Sequence, residues 1–404
     1  MNKSYKSTMY ACFIGYIVQA IVNNFVPLLF LTFRATYKIP LEKITFLVTF
    51  NFGLQLLIDF LAPHFVDKIG YRISICIAHI CAALGLIALT VLPGWFPDPF
   101  TGLMMAVIIY AIGGGLLEVL VSPIVEACPT NNKEAAMSLL HSFYCWGHVG
   151  VVLLSTLFFW GAGITNWRIL AILWAVIPLG NAYFFTKVPM ASLIEEGQNS
   201  LSIRELIKNR IFWVMVLLMV CAGASEQAVS QWASAFAEKG LGLNKTIGDL
   251  AGPMLFAILM GLARMLNGAF GDGKKMEKTM IVSGCLCIAS YLLIVWSTIP
   301  ALGLIGCGLC GFSVGVLWPG TFSMASASIE RGGTAMFAYL ALAGDLGCSL
   351  GPTVVGRVSG MAGDNLKIGI LAAVVFPVIL VVGTIFRKNN KSDENMCYNN
   401  RNNI

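Results

Sequence analysis

The chain has 404 residues, of which 57% are hydrophobic and only 11% are charged, and its net charge is +6. Soluble domains carry about 25% charged residues, so the composition excludes an ordinary soluble enzyme and indicates an integral membrane protein. Most of the 12 cysteines fall inside apolar runs, and no group of residues has the spacing of a metal site. We therefore expect no disulfide framework, no metal and no cofactor.

Apolar runs of roughly 20 residues, long enough to cross a bilayer as helices, recur along the chain. The first run is longer than the core of a cleavable signal peptide, so we expect it to stay in the membrane. We predict twelve spans, numbered 1 to 12 in chain order, near residues 9–33, 44–66, 73–93, 101–126, 135–160, 167–186, 211–236, 248–270, 279–298, 300–326, 333–358 and 366–386.

Residues 187–210 form the longest polar stretch between spans, and we expect a short surface helix there. This stretch is the predicted cytoplasmic central loop between two six-helix bundles, residues 1–186 and 211–390, and a polar cytoplasmic tail follows at 391–404. Lys and Arg concentrate in the loops on one side, so the positive-inside rule predicts that both termini are cytoplasmic. This bias accounts for the net charge, so the expected partner is the bilayer of the cell membrane (plasma or inner), and not nucleic acid.

The two halves share a repeated loop. Asp67 after span 2 and Asp272 after span 8 are 205 residues apart, and each is followed by basic residues. The residues eight positions upstream are Asp59 and Arg264. Such a repeat predicts two halves in the same membrane orientation, related by an axis along the membrane normal. A turn chemistry that both loops share independently is the alternative explanation.

The element Asp-Lys-x-Gly-x-Arg that begins at Asp67 resembles the loop between spans 2 and 3 of the major facilitator superfamily. That family has Gly four residues before the Asp, where this chain has Pro63, although the second copy keeps Gly268 before Asp272. The resemblance implies an all-α membrane protein with 12 transmembrane helices in two six-helix bundles related by a pseudo-two-fold. It also implies a transporter and not an enzyme, and we expect a monomer.

Within this superfamily, the chain is similar to the fucose permease branch of sugar:proton symporters. Leu117, Glu118 and Pro123 match its span 4 pattern, the segment "HSFYCWG" is similar to its span 5, and "GASE" ending at Glu226 resembles its span 7. Some members carry an Asp four residues before a Pro of span 1, where this chain has Asn23. Proton coupling in this chain therefore cannot use a carboxylate at that place.

Four acids lie well inside the predicted spans, against one strong base, Arg264; the acids are Asp59, Glu118, Glu226 and Asp345. They cannot all stay ionised in a low-dielectric interior. Two explanations remain open: neutral carboxyls bond helix to helix, or at least one acid titrates during transport. The predicted proton-coupling residues are Glu118 first, Glu226 in reserve, and then Asp345 and His141.

In major facilitator folds, spans 1, 4, 7 and 10 line the central cavity, so the resemblance implies where a substrate binds. Helical spacing aligns polar side chains of these spans, and of span 5, into stripes. The predicted substrate-binding residues are Tyr16, Gln19, Asn23, Ser122, Tyr144, Gln227, Ser230, Gln231 and Trp318. Amides, hydroxyls and an aromatic face suit a sugar ring. Packing or bonding between helices is the alternative role for each of these side chains.

We also expect a charge network at the inner ends of spans 2 and 8, where it would close the cytoplasmic side of a transporter. Its predicted members are Asp59, Asp67, Arg72, Arg264 and Asp272. A static charge pair at the inner leaflet is the alternative.

The sequence thus predicts a secondary active transporter that works by proton-coupled symport of a sugar or related small polar metabolite, through alternating access. Sodium in place of the proton stays open. The alternative is a proton-coupled antiporter that exports amphipathic compounds, whose cavity would be more apolar. We expect neither a sensor, which should carry an output domain, nor a membrane enzyme, which should show a nucleophile with its base.

Overall fold

The structure is a computed structural model that describes residues 5–39, 41–191, 201–233, 236, 245–270, 275–363 and 365–402. Eleven helices in these ranges are long and apolar enough to cross a membrane: Lys6–Leu29, Tyr71–Trp95, Pro99–Ala127, Lys133–Ala162, Ile164–Lys187, Arg210–Ser230, Gly252–Phe270, Met276–Trp296, Pro300–Ser326, Gly333–Met361 and Leu366–Lys388. A shorter apolar helix, Phe50–Val66, lies within the helix Leu41–Ile69 and corresponds to span 2. The prediction of an all-α membrane protein is therefore confirmed.

The helices of spans 1, 10 and 12 are interrupted, each about four residues before a proline. Span 1 breaks after Asn24, where the 3-10 turn Val26–Leu29 and the helix Phe30–Tyr37 follow. Span 10 consists of Pro300–Val314 and Leu317–Ser326, and span 12 of Leu366–Ala372 and Val375–Asn402. Proline has no N–H for the carbonyl four residues earlier, and the prolines responsible are Pro27, Pro319 and Pro377.

Span 12 ends later than the sequence predicts, and the structure gives bounds for the short helix expected in the central loop. Span 12 continues as a helix to Asn402, past the expected end near residue 386 and into the polar tail. In the central loop, the described residues contain the short helix Ile203–Lys208. Ser202 and Glu205 cap its N-terminus reciprocally, each side chain bonding the backbone N–H of the other. The expected surface helix is therefore present.

The Asp-Lys-x-Gly-x-Arg element forms a sharp turn between two helices. Span 2 ends at Ile69 and span 3 begins at Tyr71, so Gly70 alone connects them. Its φ is 91°, a left-handed backbone conformation that favours glycine. The backbone conformation of this turn thus explains why the element has a glycine at this position.

The helices form two compact units. Unit 1 comprises residues 1–131, 140–201 and 331–342, and unit 2 comprises 132–139, 202–330 and 343–404. Within unit 1, span 4 packs against spans 1, 2 and 3, and span 6 packs against spans 1 and 3. Within unit 2, span 10 packs against spans 7, 8 and 9, and span 12 packs against spans 7 and 9. The two units thus repeat one set of helix neighbours, as the internal repeat predicts.

Exposed tryptophans stand at the ends of three spans. Trp95 ends span 3, Trp160 lies in the last turn of span 5, and Trp296 ends span 9. Their side chains are 77%, 87% and 71% exposed, respectively. Tryptophan concentrates at membrane interfaces because one end of the ring is apolar and the other can hydrogen bond. These positions are therefore consistent with helix ends at the bilayer surface.

Candidate functional site

Polar side chains from spans 1, 4 and 5 meet inside unit 1. The Tyr16 hydroxyl lies 2.9 Å from Ser122 Oγ and 3.4 Å from His141 Nε2. Ser122 Oγ is itself 3.4 Å from the same ring nitrogen. All three side chains are buried. We call these residues, with Gln19 and Glu118, the polar cluster; the structure brings together five of the residues that the sequence analysis selected.

Glu118 and Gln19 form a hydrogen-bonded pair one helical turn from these three residues, on spans 4 and 1. Gln19 Nε2 donates a hydrogen bond of 2.8 Å to Glu118 Oε2. Gln19 is only 3% exposed, and Glu118 lies one helical turn before Ser122 on span 4. The carboxyl therefore lies in a polar environment within the membrane-spanning part of the chain, which removes much of the cost of burying it among apolar residues.

Three consecutive glycines set the position of Glu118. A Cβ added to Gly113 would lie 2.6 Å from the carbonyl oxygen of Ala78, on span 3. On Gly114 and Gly115 it would lie 3.0 Å from Gln55 Nε2 and 3.0 Å from Ile58 Cβ, both on span 2. Span 4 can therefore approach spans 2 and 3 closely only because these residues have no side chain, and Glu118 follows within one turn.

A second group of amides continues the polar side of span 1. Asn23 Oδ1 accepts hydrogen bonds from Gln55 Nε2 at 2.7 Å and from Asn51 Nδ2 at 3.2 Å. Gln55 Nε2 also lies 3.1 Å from Asn51 Oδ1. The sequence analysis missed Asn51 and Gln55, whose spacing of four residues on an apolar helix was the available signal. Asn23 therefore belongs to a neutral amide network.

Buried polar groups also tie span 1 to spans 3 and 6. His79 Nδ1 lies 2.7 Å from the carbonyl oxygen of Ile75, so this nitrogen carries the proton and donates. His79 Nε2 then accepts from Asn181 Nδ2 at 2.7 Å, and the same amide donates to the carbonyl oxygen of Ala11 at 3.0 Å. A neutral histidine with both nitrogens bonded has a structural role here.

In unit 2, an ion pair joins two residues for which the sequence analysis had predicted different roles. Arg264 Nη2 lies 3.1 Å from Glu226 Oε2, and the side chains are 4% and 13% exposed. Arg264 Nε donates to the carbonyl oxygen of Gly315 at 2.8 Å. Pro319 cannot donate to that carbonyl, so the guanidinium replaces the missing helical hydrogen bond at the interruption of span 10. Arg264 therefore stabilises both an acid and a helix break.

Two glutamines extend this pair along span 7. Gln227 Nε2 lies 3.4 Å from Glu226 Oε1, and Gln231 Nε2 donates to Gln227 Oε1 at 3.1 Å. Gln231 is exposed, whereas Glu226 and Gln227 are half-buried. Ser230 is also half-buried and is the last residue of the helix Arg210–Ser230. A row of amides thus runs from an exposed side chain to the buried ion pair.

The remaining predicted residues of unit 2 lie around span 11. A Cβ on Gly344 would be 2.2 Å from the Trp318 ring, which is buried against this glycine. Asp345 follows directly and is half-buried. A Cβ on Gly347 or Gly351 would lie 2.0 or 2.3 Å from a carbonyl oxygen of span 7. These glycines allow the close helix approach that the sequence analysis expected.

The other predicted positions have separate surroundings. Tyr144 is half-buried, one turn beyond His141 on span 5. Asp59 is completely buried on span 2, and Arg72 Nη1 donates to the carbonyl oxygen of Phe185 at 2.6 Å. The side chain of Asp67 and the whole of Asp272 lie outside the described residues. The charge network at the cytoplasmic side therefore stays a prediction.

Cysteine, histidine and acidic side chains do not gather into a metal site within the described ranges; no group of three or more could hold a metal ion. The cysteines that the structure describes in full are free thiols, most of them buried between helices. The candidate site itself presents hydroxyl, amide, carboxyl and imidazole groups.

Comparisons with known proteins agree with this architecture. A family model described as Major Facilitator Superfamily matches residues 11–352. The chain is 21% identical over 292 residues to "Membrane protein MosC" of Rhizobium meliloti, which is 72% of this chain and 69% of that protein.

Among solved structures, the Escherichia coli fucose:proton symporter FucP (N162A) is similar with a TM-score of 0.79 and 17% identity, covering 95% of this chain and 99% of that chain. The proton:xylose symporter XylE is similar with a TM-score of 0.80 and 12% identity, covering 96% of each chain. At these identities the structures show a shared fold. Since the family model matches most of the sequence, the chain belongs to the Major Facilitator Superfamily, a superfamily of membrane transporters.

Proposed function

We propose that this protein is a secondary active transporter that takes up a sugar or a related small polar metabolite together with a proton, by alternating access. The observation that carries this proposal is the polar cluster: Glu118 accepts a hydrogen bond from the Gln19 amide, and the Tyr16, Ser122 and His141 side chains contact each other one helical turn away. A sugar needs donors and acceptors around its rim. FucP and XylE, which share this fold, are described as proton symporters of sugars.

Glu118 is the proposed carrier of the coupled proton. Glu226 is the less suitable carboxyl because Arg264 pairs with it at 3.1 Å. Protonating Glu226 would leave a buried guanidinium without this counter-charge, which costs about 3–5 kcal/mol for typical buried pairs. Glu118 is bonded by the neutral amide of Gln19, which has no charge to lose. Asp345 and His141 remain secondary candidates for coupling.

The proposed substrate contacts are the hydroxyl and amide groups already described on spans 1, 4, 5 and 7. An exporter of amphipathic compounds would require a largely apolar site. The polar cluster has five polar side chains within one unit, which favours a polar substrate over that alternative. We further propose that both termini face the cytoplasm of a cell with this protein in its plasma or inner membrane, and that transport occurs in a monomer.

Uptake into proteoliposomes tests the proposal. A thermal-shift screen of monosaccharides, nucleosides and amino acids first identifies a substrate, because a ligand stabilises the state that binds it. An imposed pH gradient should then drive accumulation by the wild type. Glu118→Gln should retain exchange of labelled substrate and lose accumulation, because exchange needs no net proton movement.

Glu126→Gln is the matched control. Glu126 is a buried acid two turns beyond Glu118 on the same span, and the substitution is chemically identical. It should accumulate substrate as the wild type does. Accumulation by Glu118→Gln at the wild-type level would contradict the coupling role, and stabilisation only by hydrophobic cations would favour the exporter.

A further inference from the structure

One atom in the polar cluster accepts no hydrogen bond from the part of the chain that the structure describes. Gln19 Oε1 is buried, and it has no donor within reach, although Nε2 of the same amide donates to Glu118. A buried carbonyl oxygen without a donor is unfavourable and uncommon. Gln19 lies on span 1, one turn beyond Tyr16, in the cluster where the substrate is proposed to bind. Gln19 Oε1 is therefore able to accept a hydrogen bond from a ligand group in this cluster.

We propose that Gln19 is a reversible hydrogen-bond relay between Glu118 and a hydroxyl group of the substrate. This inference rests on the function proposed above and specifies the chemistry of the same site. Gln19 acts through Glu118 and the ligand, so it is a positioning residue for coupling.

The hydrogen bonds of the relay can run in either direction, because the oxygen of an amide accepts hydrogen bonds and its nitrogen donates them. When Glu118 is ionised, Nε2 donates to the carboxylate, as in the structure, and Oε1 is presented to the ligand. When Glu118 binds a proton from water, its O–H needs an acceptor. Rotation of the terminal amide by half a turn, about a torsion with broad two-fold preference, presents Oε1 to Glu118 and Nε2 to the ligand. The amide itself neither gains nor loses a proton.

Only some ligand groups complete the chain of hydrogen bonds in both directions. An ammonium group can donate but cannot accept, so it completes the chain only while Glu118 is ionised. An ether or a carboxylate can accept but cannot donate, so it completes the chain only when Glu118 is protonated. A hydroxyl both donates and accepts. A polyhydroxylated substrate can therefore stay bound while Glu118 gains and loses the coupled proton.

Other titratable groups stand on the spans packed around span 4. The buried ones include Tyr16 and Cys12 on span 1, Asp59 on span 2 and His79 on span 3, and His141 on span 5 contacts Ser122. A test of the relay must therefore isolate Glu118 from them. Infrared difference spectroscopy of purified protein at high and low pH reports carboxyl groups individually when each band is assigned with a variant.

The proton is the probe in this experiment, so no substrate has to be known. The wild type should gain a protonated-carboxyl band at low pH that Glu118→Gln lacks. In Gln19→Met, a side chain of similar length without an amide, the Glu118 band should appear at a shifted frequency because its O–H has lost the Gln19 acceptor. Thr90→Val, which removes a hydroxyl of span 3 that donates to the Ile87 carbonyl of its own helix turn, should leave the band in place.

A second measurement does not depend on a stable variant of Gln19. Wild-type protein with ¹³C in the glutamine side-chain carbonyls should show a glutamine carbonyl change that appears together with the Glu118 band and is absent from Glu118→Gln. An unshifted Glu118 band in Gln19→Met, or no coupled glutamine signal, would overturn the relay while leaving Glu118 as the proton carrier. Absence of any Glu118 band in the wild type would contradict the proposed proton carrier itself, and the relay with it.

Discussion

The buried ion pair of unit 2 gives a quantitative prediction about stability. Glu226→Gln leaves the guanidinium of Arg264, which is 4% exposed, without this counter-charge, and such a loss typically costs about 3–5 kcal/mol. Arg264→Met should cost at least as much, since it also removes the donor to the Gly315 carbonyl. The double variant has neither charge, so its expected cost is that of the unpaired carbonyl, about 1–3 kcal/mol.

The two single losses would sum to about 6–10 kcal/mol if they were independent. We therefore expect the double variant to be more stable than either single variant. The measurement is denaturant unfolding of the purified protein in mild detergent, followed by tryptophan fluorescence. The pair Glu277–Arg387 is a matched control, because its side chains are 22% and 10% exposed and the same substitutions there should cost less. A double variant less stable than both single variants would refute the reasoning.

Two further predictions concern other buried groups. Asn181→Leu removes the amide that bonds His79 and the Ala11 carbonyl, so it should lower stability in the same unfolding assay by about 1–3 kcal/mol, and an unchanged midpoint would exclude the structural role. Asp59→Asn should change how readily a thiol reagent labels buried cysteines such as Cys128, if Asp59 belongs to the cytoplasmic charge network; an identical labelling pattern would remove that proposal.

Hydropathy predicted the spans well because the bilayer imposes a minimum length on each helix. It did not predict where spans 1, 10 and 12 break. Pro27, Pro319 and Pro377 coincide with breaks, whereas Pro123 and Pro352 lie within continuous helices. Proline removes the same backbone hydrogen bond at all five positions, so the difference between them comes from the packing around each helix. That packing involves other spans, so local sequence does not reveal it.

In the candidate site, too, the sequence predicted what depends on the spacing within one helix and did not predict what depends on packing between spans. The i, i+3 and i+4 spacing on single helices selected Tyr16, Gln19, Glu118 and Ser122, and these residues do meet. The pairing of Arg264 with Glu226 was not predicted, because it depends on how spans 7 and 8 pack. In the sequence repeat, Arg264 is equivalent in position to Asp59. We therefore predicted that it belongs to the cytoplasmic charge network and did not pair it with Glu226.

The neutrality of the Glu226–Arg264 pair has an electrical consequence for the proposed transport cycle. A paired carboxylate and guanidinium carry no net charge, so their movement with the protein displaces no net charge during the individual steps. The charges of the protein return to their starting positions after each cycle and a neutral sugar adds none, so the net charge moved per cycle is the single proton on Glu118. One charge crossing a potential of about 100 mV provides about 2.3 kcal/mol. At about 1.4 kcal/mol per tenfold concentration ratio, the membrane potential alone would support roughly 50-fold accumulation, and uptake would be measurable as an inward current.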